Sequence, residues 1–275
     1  MPWFPDFTGA IELARRQTRT AGRADPVGRY LASLTDGDAP ALEAVWPGEV
    51  VVYDPRAGEV RGHRRLRRFV RDNQAWLAGR HARIATIAAT GAGGRAVVEL
   101  MAHLDDGGAT VSWPVAVVAE SPAEESAEFR TYCSQVVVDG RRHVRPAFLA
   151  AGSVSADGVV GRHLAALAAG DLAATVGTFA RDGYLRESVG APDVHRGVDA
   201  LRALYGGWLK GGGIGWEPCA LTDDGVRCAV EYTCARWGGR DLRPQAGLAV
   251  FERDAQGLLA GVHLYDDIEP PSGGA

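Results

Sequence analysis

The sequence is almost without lysine: of its 30 basic residues, only Lys210 is one. Schiff-base catalysis needs a lysine amine, and the phosphate-binding motif GxxxxGK(S/T), which also contains a lysine, does not occur. Neither chemistry is therefore expected. The formal net charge is −4 at pH 7. Because nucleic-acid binding depends on a strong positive field, we expect no nucleic-acid partner.

Long apolar runs and metal-ligand spacings are missing as well. No apolar run approaches the roughly 20 residues that span a bilayer, and the start, MPWFPDFTGAIELARRQTR, lacks the basic and apolar stretches of a signal peptide. The cysteines form no CxxC pair and the histidines no HxxxH or HExxH spacing, so we expect neither a metal nor another cofactor. These absences predict a cytoplasmic protein that does not contact membranes.

Two of the four cysteines leave an alternative open. A two-residue hairpin turn centred on Asp223 and Asp224 would place Cys219 opposite Cys228, which would allow a disulfide. The simpler interpretation is a pair of reduced cysteines on half-buried strands.

The most informative feature that the sequence does contain is an internal repeat. Residues 27–38 read VGRYLASLTDGD and residues 160–171 read VGRHLAALAAGD, with eight of twelve positions identical at an offset of 133. Weaker matches follow in the same order, including Glu99 with Glu231 and Tyr132 with Tyr265. Since the chain is long enough for two domains of about 130 residues, we interpret it as one domain written twice.

Each copy predicts the same series of elements, helices first and an antiparallel meander afterwards, which is an α+β arrangement. An amphipathic helix ends at Gly-Asp, a short helix and a brief strand follow, and Arg-Gly precedes a third helix. For the first copy the later predicted ranges are 39–46, 50–54, 63–77, 82–90, 95–104, 109–120 and 127–138. For the second copy they are 172–180, 184–188, 198–209, 214–222, 226–237, 243–253 and 258–268.

The repeat also sets the expected domain organisation. We predict a first domain at 25–148 and a second at 159–270, joined by a small and polar linker at 149–158. Residues 1–24 are predicted to form a separate arm and residues 271–275 a disordered tail.

The order helix, Gly-Asp, helix, strand, Arg-Gly, helix and meander resembles the nuclear transport factor 2-like superfamily, which includes ketosteroid isomerases and small polyketide cyclases of the SnoaL-like type. The resemblance covers nearly the whole chain outside the arm, once per repeat. It implies two tandem cone-shaped α+β barrels, each with three helices packed on a curved antiparallel sheet around an apolar pocket. Because many members pair through their sheets, it also implies an intramolecular pseudo-dimer, and it leaves further homodimerisation open.

The isomerase branch of that superfamily suggests site residues in the first copy. Tyr30 resembles the tyrosine whose hydroxyl donates a hydrogen bond to the enolate oxygen, and Asp54, in Tyr53-Asp54-Pro55, resembles the aspartate base. In the second copy the same positions hold His163 and Glu187, a pair that can also exchange protons. The expected second oxyanion donor, an aspartic acid, is replaced by alanine in both copies, at Ala116 and Ala249.

Each candidate has a structural alternative. Asp54 could cap its own turn, Tyr30 could be a core residue, and His163 could be a satisfied buried histidine. The family alignment turns Asp266 into the cone, where a buried carboxyl group would be a proton donor. Paired Glu99 and Glu231 could form a proton relay, although ion pairs with the abundant arginines are the favoured interpretation.

We therefore expect a cofactor-independent isomerase or cyclase that moves protons on a bulky, apolar, carbonyl-bearing small molecule of the polyketide or terpenoid kind, in secondary metabolism. Six tryptophans suit the walls of such a pocket or an ordinary core: Trp46, Trp76, Trp113, Trp208, Trp216 and Trp237. A non-catalytic binding module, a dehydratase and an epoxide hydrolase are the alternatives, and the sequence does not decide which copy is active.

Overall fold

The computed structural model describes residues 23–189 and 193–268. The predicted arm lies outside them except for its last two residues, and the predicted tail at 271–275 lies outside them entirely. Across the described residues, every helix falls short of the length and apolarity needed to traverse a bilayer.

Both repeats contain the predicted series of elements, and each adds a short strand before its third helix. In the first repeat these are α1 (Pro26–Asp36), α2 (Ala39–Val45), β1 (Glu49–Asp54), β2 (Gly58–Arg61), α3 (His63–Ala78), β3 (Arg83–Ala92), β4 (Arg95–Asp106), β5 (Ala109–Glu120), β6 (Ser126–Cys133) and a short α4 (Val136–Asp139). In the second they are α5 (Gly158–Ala169), α6 (Leu172–Gly177), β7 (Phe179–Arg186), β8 (Val194–Arg196), α7 (Gly197–Trp208), β9 (Ile214–Asp223), β10 (Arg227–Trp237), β11 (Arg240–Arg253) and β12 (Leu259–Leu264).

The strands form two six-stranded sheets of one topology. The order is β2-β1-β6-β5-β4-β3 in the first sheet and β8-β7-β12-β11-β10-β9 in the second. Strand β1 runs parallel to β6, and β7 runs parallel to β12. The predicted α+β class and tandem repeat are confirmed with one correction: both sheets keep open edges and are not closed barrels.

Contacts between Cα atoms divide the chain into two compact units whose borders cut across the first sheet. Unit 1 comprises residues up to 82 together with 94–96 and 117–131, and unit 2 comprises 83–93, 97–116 and everything from 132 onward. Much of β3, β4 and β5 therefore groups with the second repeat. The predicted boundaries at 25–148 and 159–270 refer to the sequence repeats and stay predictions.

The Gly-Asp dipeptide has the same physical role in both repeats. Gly37 and Gly170 end their helices in the left-handed conformation, with φ of 74° and 73°, which a glycine adopts without steric cost. The aspartates that follow begin the next helix, because Asp38 accepts a hydrogen bond from the N–H of Ala41 and Asp171 does the same three residues on. The Gly-Asp dipeptide is thus identical in the two copies at the point where the chain turns from one helix into the next.

Several sequence predictions on strands were wrong. Strand β7 begins at Phe179, five residues before its predicted start, and β12 ends at Leu264, four residues before its predicted end. Strand β6 ends at Cys133, five residues earlier than predicted. In the hairpin of β9 and β10, Cys228 lies opposite Asp223 and not opposite Cys219, because the turn is longer than the two residues assumed. In the part of the chain that the structure describes, Cys219, Cys228 and Cys234 form no disulfide.

The two helix-ending glycines give a stability prediction. Alanine at either position takes on the left-handed strain of about 1–2 kcal/mol. A Cβ at Gly170 would also lie 2.9 Å from the backbone nitrogen of Gly213, whereas at Gly37 its nearest neighbour is a side-chain carbon of Gln74 at 3.4 Å. We expect Gly170→Ala to lower the free energy of unfolding by more than Gly37→Ala.

Urea unfolding of the two variants measures this difference. Gly207→Ala serves as the control, because Gly207 lies in α7 with no atom within 4 Å of an added Cβ, and it should leave stability unchanged or raise it slightly. Equal losses at Gly37 and Gly170 would contradict the backbone clash.

Candidate active site

Asp54 ends β1, and its carboxylate holds the turn that follows. Its Oδ1 accepts hydrogen bonds from the backbone N–H groups of Arg56 and Ala57, at 2.9 Å each. This is the turn-capping alternative raised by the sequence. Asp54 also lines a cavity of about 420 Å³ in unit 1, but most of the other lining residues are charged or polar: Arg56, Glu59, Arg65, Arg68, Asp72 and Asn73.

Tyr30 is a core residue of unit 1. It is only 1% exposed, and its ring stacks on Phe129 with centroids 4.4 Å apart. Trp46 meets the same Phe129 ring edge-on at 5.5 Å. Tyr30 is not among the residues that line the Asp54 cavity, so this cavity does not unite the tyrosine and aspartate that the sequence analysis paired.

His163 is a satisfied buried histidine. Its helical spacing with Val160 and Leu167 turns it into the core of unit 2, where all three are fully buried. Nδ1 lies 2.8 Å from the hydroxyl of Thr178 and Nε2 lies 3.2 Å from that of Tyr205. Burial lowers the pKa of His163 to about 4, so the ring is neutral at pH 7. It does not pair with Glu187 as the sequence analysis expected.

Glu187 is instead held by a histidine that sequence reasoning missed. It follows β7 directly and is half-buried, and its Oε1 lies 2.8 Å from Nε2 of His195 on β8. The backbone N–H of Glu187 donates to the carbonyl of Asp193 and closes the turn between the two strands. Because β8 was not predicted, nothing in the sequence placed His195 opposite Glu187.

A pocket of about 400 Å³ lies at this end of the second sheet, within unit 2. Glu187 and Asp266 both line it. Their meeting follows from topology: β7 and β12 are neighbouring parallel strands with Arg186 opposite His263, and the carboxyl ends of parallel strands meet at one edge of a sheet. The remaining wall is mixed. Its apolar and aromatic residues are Val136, Val189, Trp208, Trp216, Trp237, Leu264 and Ile268, and its polar and charged residues are Ser134, Arg142, Ser188, Asp193 and Asp267.

Asp266 is the most perturbed acid of this pocket. Its Oδ2 accepts a hydrogen bond of 2.8 Å from the hydroxyl of Tyr232 and one of 3.2 Å from the N–H of Leu248. Burial raises the pKa of Asp266 from 3.8 to about 6, against the opposing effect of the Tyr232 hydrogen bond. Asp266 lines the pocket, and the residue as a whole is half-buried.

Gly247 makes room for this pair. It lies on β11 opposite Tyr232, and a Cβ there would come within 2.5 Å of the Tyr232 ring and 2.7 Å of the Asp266 carboxylate. Any side chain at this position would therefore displace the tyrosine, the aspartate or both.

The neighbouring Asp267 attaches a segment of the first repeat to the pocket. Its carboxylate accepts hydrogen bonds from the Ser134 hydroxyl and from the backbone N–H groups of Gln135, at 2.7 Å, and His143, at 2.9 Å. Ser134 and Arg142, from the same segment, line the pocket. Sequence analysis missed this wall because it extended β6 through residues that leave the sheet.

The paired glutamates join side chains of the two repeats inside unit 2. Tyr265 donates to Glu99 at 2.6 Å, and Tyr132 donates reciprocally to Glu231 at 2.7 Å. His263 adds a second contact to Glu99 at 2.5 Å. Burial raises the pKa of Glu99, but the bonds from His263 and Tyr265 outweigh it and the pKa is lowered. The hydrogen-bond partners shown for Glu99 are therefore a histidine and a tyrosine, where the favoured interpretation expected arginines.

Within residues 23–189 and 193–268, no three His, Cys, Asp or Glu side chains are grouped to hold a metal ion. A family model described as the SnoaL-like domain matches the chain twice, at residues 27–141 and 160–262. The chain matches none of the curated proteins with which it was compared.

Several solved structures are similar to parts of the chain. A Sinorhizobium meliloti protein described as a candidate polyketide cyclase is 23% identical over 38% of this chain and 92% of its own, with a TM-score of 0.32. The epoxide hydrolase/cyclase-like enzyme SalBIII, with a role in pyran ring formation in the polyether salinomycin, is 20% identical over 39% of this chain and 86% of its own, with a TM-score of 0.33. A cystatin-like protein of unknown function from Methylobium petroleophilum is 19% identical over 42% and 78%, with a TM-score of 0.35. At these values the likenesses assign no activity to this chain.

The pKa of Asp266 predicts how stability depends on pH. A carboxyl group whose pKa rises from 3.8 to about 6 on folding stabilises the folded state fully below pH 4, and this contribution is lost as pH rises through 6. At 1.36 kcal/mol per pKa unit, the loss amounts to about 3 kcal/mol. Asp266→Asn cannot ionise, so the difference in unfolding free energy between variant and wild type should move in the variant's favour by this amount.

Urea unfolding of both proteins from pH 4 to pH 8 measures the shift, and taking the difference cancels the titration of all other groups. A pH-independent difference would contradict a raised pKa at Asp266.

Proposed function

The chain belongs to the SnoaL-like domain family and carries that domain twice, and on this premise we propose that its second repeat is an acid/base catalyst. The reaction proposed is a cofactor-independent isomerisation or cyclisation of a bulky, apolar, carbonyl-bearing small molecule of the polyketide or terpenoid kind. The site is the pocket of about 400 Å³ in unit 2, not the Asp54 cavity of the first repeat.

The observation that carries the proposal is the environment of Asp266. A carboxyl group with a pKa near 6, hydrogen-bonded to Tyr232 in an aromatic pocket, is neutral over much of the mildly acidic range. In that form it has an O–H to donate, and it shares the pocket with a second carboxyl group, Glu187. Two carboxyl groups in different environments provide an acid and a base for one reaction.

The chemistry assigned to these groups is proton transfer next to a carbonyl. Glu187 removes a proton from the carbon beside the carbonyl, the C–H electron pair forms a C=C bond, and the carbonyl π electrons move to oxygen. Asp266 donates a hydrogen bond to that oxygen and stabilises the enolate. Return of the proton from Glu187 to a different carbon completes a double-bond shift. Attack of the enolate carbon on a second carbonyl, with the proton passed to the new alkoxide, completes a ring closure instead.

The pocket wall supports a flat, largely apolar substrate. Trp208, Trp216 and Trp237 line the pocket, and aromatic side chains offer surfaces against which a flat ring system can stack. A volume of about 400 Å³ falls within the usual range for small-molecule sites.

The first repeat supports this site in the proposal and does not add a second one. It supplies Ser134 and Arg142 to the pocket wall, and the reciprocal contacts of Tyr132 with Glu231 and of Tyr265 with Glu99 are those of two like surfaces facing each other. These contacts favour the predicted intramolecular pseudo-dimer. Further homodimerisation stays a prediction.

Exchange of the carbon-bound protons of a bicyclic ketone, 2-tetralone, into deuterated water tests the proposal. The wild-type protein should accelerate exchange, and Glu187→Gln and Asp266→Asn should each lose about 100-fold or more of that acceleration. Tryptophan fluorescence, which reports on the pocket, should show that Glu187→Gln still binds the ketone.

Asp54→Asn provides the matched control, because asparagine retains the oxygen that accepts from Arg56 and Ala57. It should exchange protons at the wild-type rate. Loss of proton exchange in Asp54→Asn alone would indicate that the active site lies in the first repeat. Binding of the ketone without proton exchange in the wild type would identify a non-catalytic binding module.

A further inference from the structure

A buried indole group in the candidate pocket has no hydrogen-bond acceptor. Trp216 lines the pocket and is 7% exposed, and within the part of the chain that the structure describes its Nε1 has no partner. The same group of Trp237, in the same pocket, donates to the carbonyl of Trp208 at 3.1 Å. An indole N–H can only donate, and burial without an acceptor is costly. An oxygen atom supplied by a ligand would satisfy it.

Trp216 contacts the tyrosine that is hydrogen-bonded to Asp266. Trp216 lies on β9 opposite Cys234 of β10, and its ring stacks on that of Tyr232 with centroids 4.5 Å apart and an angle of 21° between the planes. The hydroxyl of Tyr232 in turn donates to Asp266. Stacking on Tyr232 fixes the plane of the indole ring, so the direction of its N–H is set before a ligand arrives.

The proposed chemistry leaves a place for this donor. A neutral Asp266 has one O–H and can therefore donate only one hydrogen bond to the substrate oxygen. The Tyr232 hydroxyl donates its hydrogen to Asp266 and so does not provide a second one. An enolate oxygen accepts more than one hydrogen bond, and sites that stabilise oxyanions commonly supply two donors. A donor that cannot accept also discriminates against a ligand that presents an N–H at this point.

We infer that Trp216 is a catalytic residue, whose Nε1–H donates a second hydrogen bond to the carbonyl oxygen of the substrate beside Asp266. The inference rests on the proposed function and narrows the ligand class to flat, apolar molecules that place a carbonyl, enol or phenol oxygen at this end of the pocket.

Binding of 2-naphthol tests the inference without knowledge of the substrate, because this flat phenol places a single oxygen on an apolar ring system. In the wild type, the Trp216 indole resonance in a ¹H–¹⁵N correlation spectrum should shift downfield on saturation. Trp216→Phe, which retains an aromatic ring for stacking, should weaken binding roughly tenfold.

Trp46→Phe is the matched control. Trp46 is a fully buried tryptophan of unit 1 that does not line the pocket, and its Nε1 likewise has no partner among the described residues. Its replacement therefore tests the general effect of losing an unpartnered indole group, and it should leave the affinity within about twofold of the wild type.

The outcomes separate the two proposals. Weaker binding by Asp266→Asn with unchanged binding by Trp216→Phe would overturn the role of Trp216 alone. No binding by the wild type would overturn both. If Trp216→Phe does not fold, the wild-type spectrum still decides, because an unmoved Trp216 indole resonance at saturation would overturn the inference.

Discussion

The free-energy cost of ionising a buried carboxyl group is the physical constraint on which the candidate site depends. Asp266 would be far more acidic in water, but burial holds its pKa near 6 although the hydroxyl of Tyr232 donates to it. The space for this pair depends on Gly247, whose missing side chain lets the tyrosine ring and the carboxylate approach β11. The positions of the Gly247 backbone, the Tyr232 ring and the Asp266 carboxyl group thus depend on one another, and the chemistry proposed for the pocket requires all three.

Duplication has given the same fold two different interiors. In the first repeat the large ring of Phe129 packs between Tyr30 and Trp46, whereas the corresponding position of the second repeat, 133 residues on, is the smaller Val262. Cys133 corresponds in the same way to Asp266. The first copy therefore has a large ring and a thiol at the two positions where the second copy has a smaller side chain and a carboxyl group. This difference is consistent with the proposal that the second repeat carries the acid/base groups while the first supplies part of the pocket wall.

The sequence predicted what depends on local chemistry. The Gly-Asp corners follow from the conformational freedom of glycine and the capping ability of aspartate, and the helices follow from their apolar spacing. It predicted the site residues less well, because burial and partners are tertiary properties. Tyr30 and His163 occupy similar places in the two copies and became core residues, whereas Asp266, considered only as an inward-facing acid, lines the pocket. The contact of Glu187 with His195 could not be foreseen, since it depends on the three-residue strand β8.

A crystal structure of the protein with 2-naphthol bound tests the central claim most directly. The account predicts that the ring lies among Trp208, Trp216 and Trp237, with its oxygen within hydrogen-bond distance of the Asp266 carboxyl group. A ligand seated instead beside Asp54 in the first repeat, or one in the second pocket with its oxygen turned away from Asp266, would contradict it.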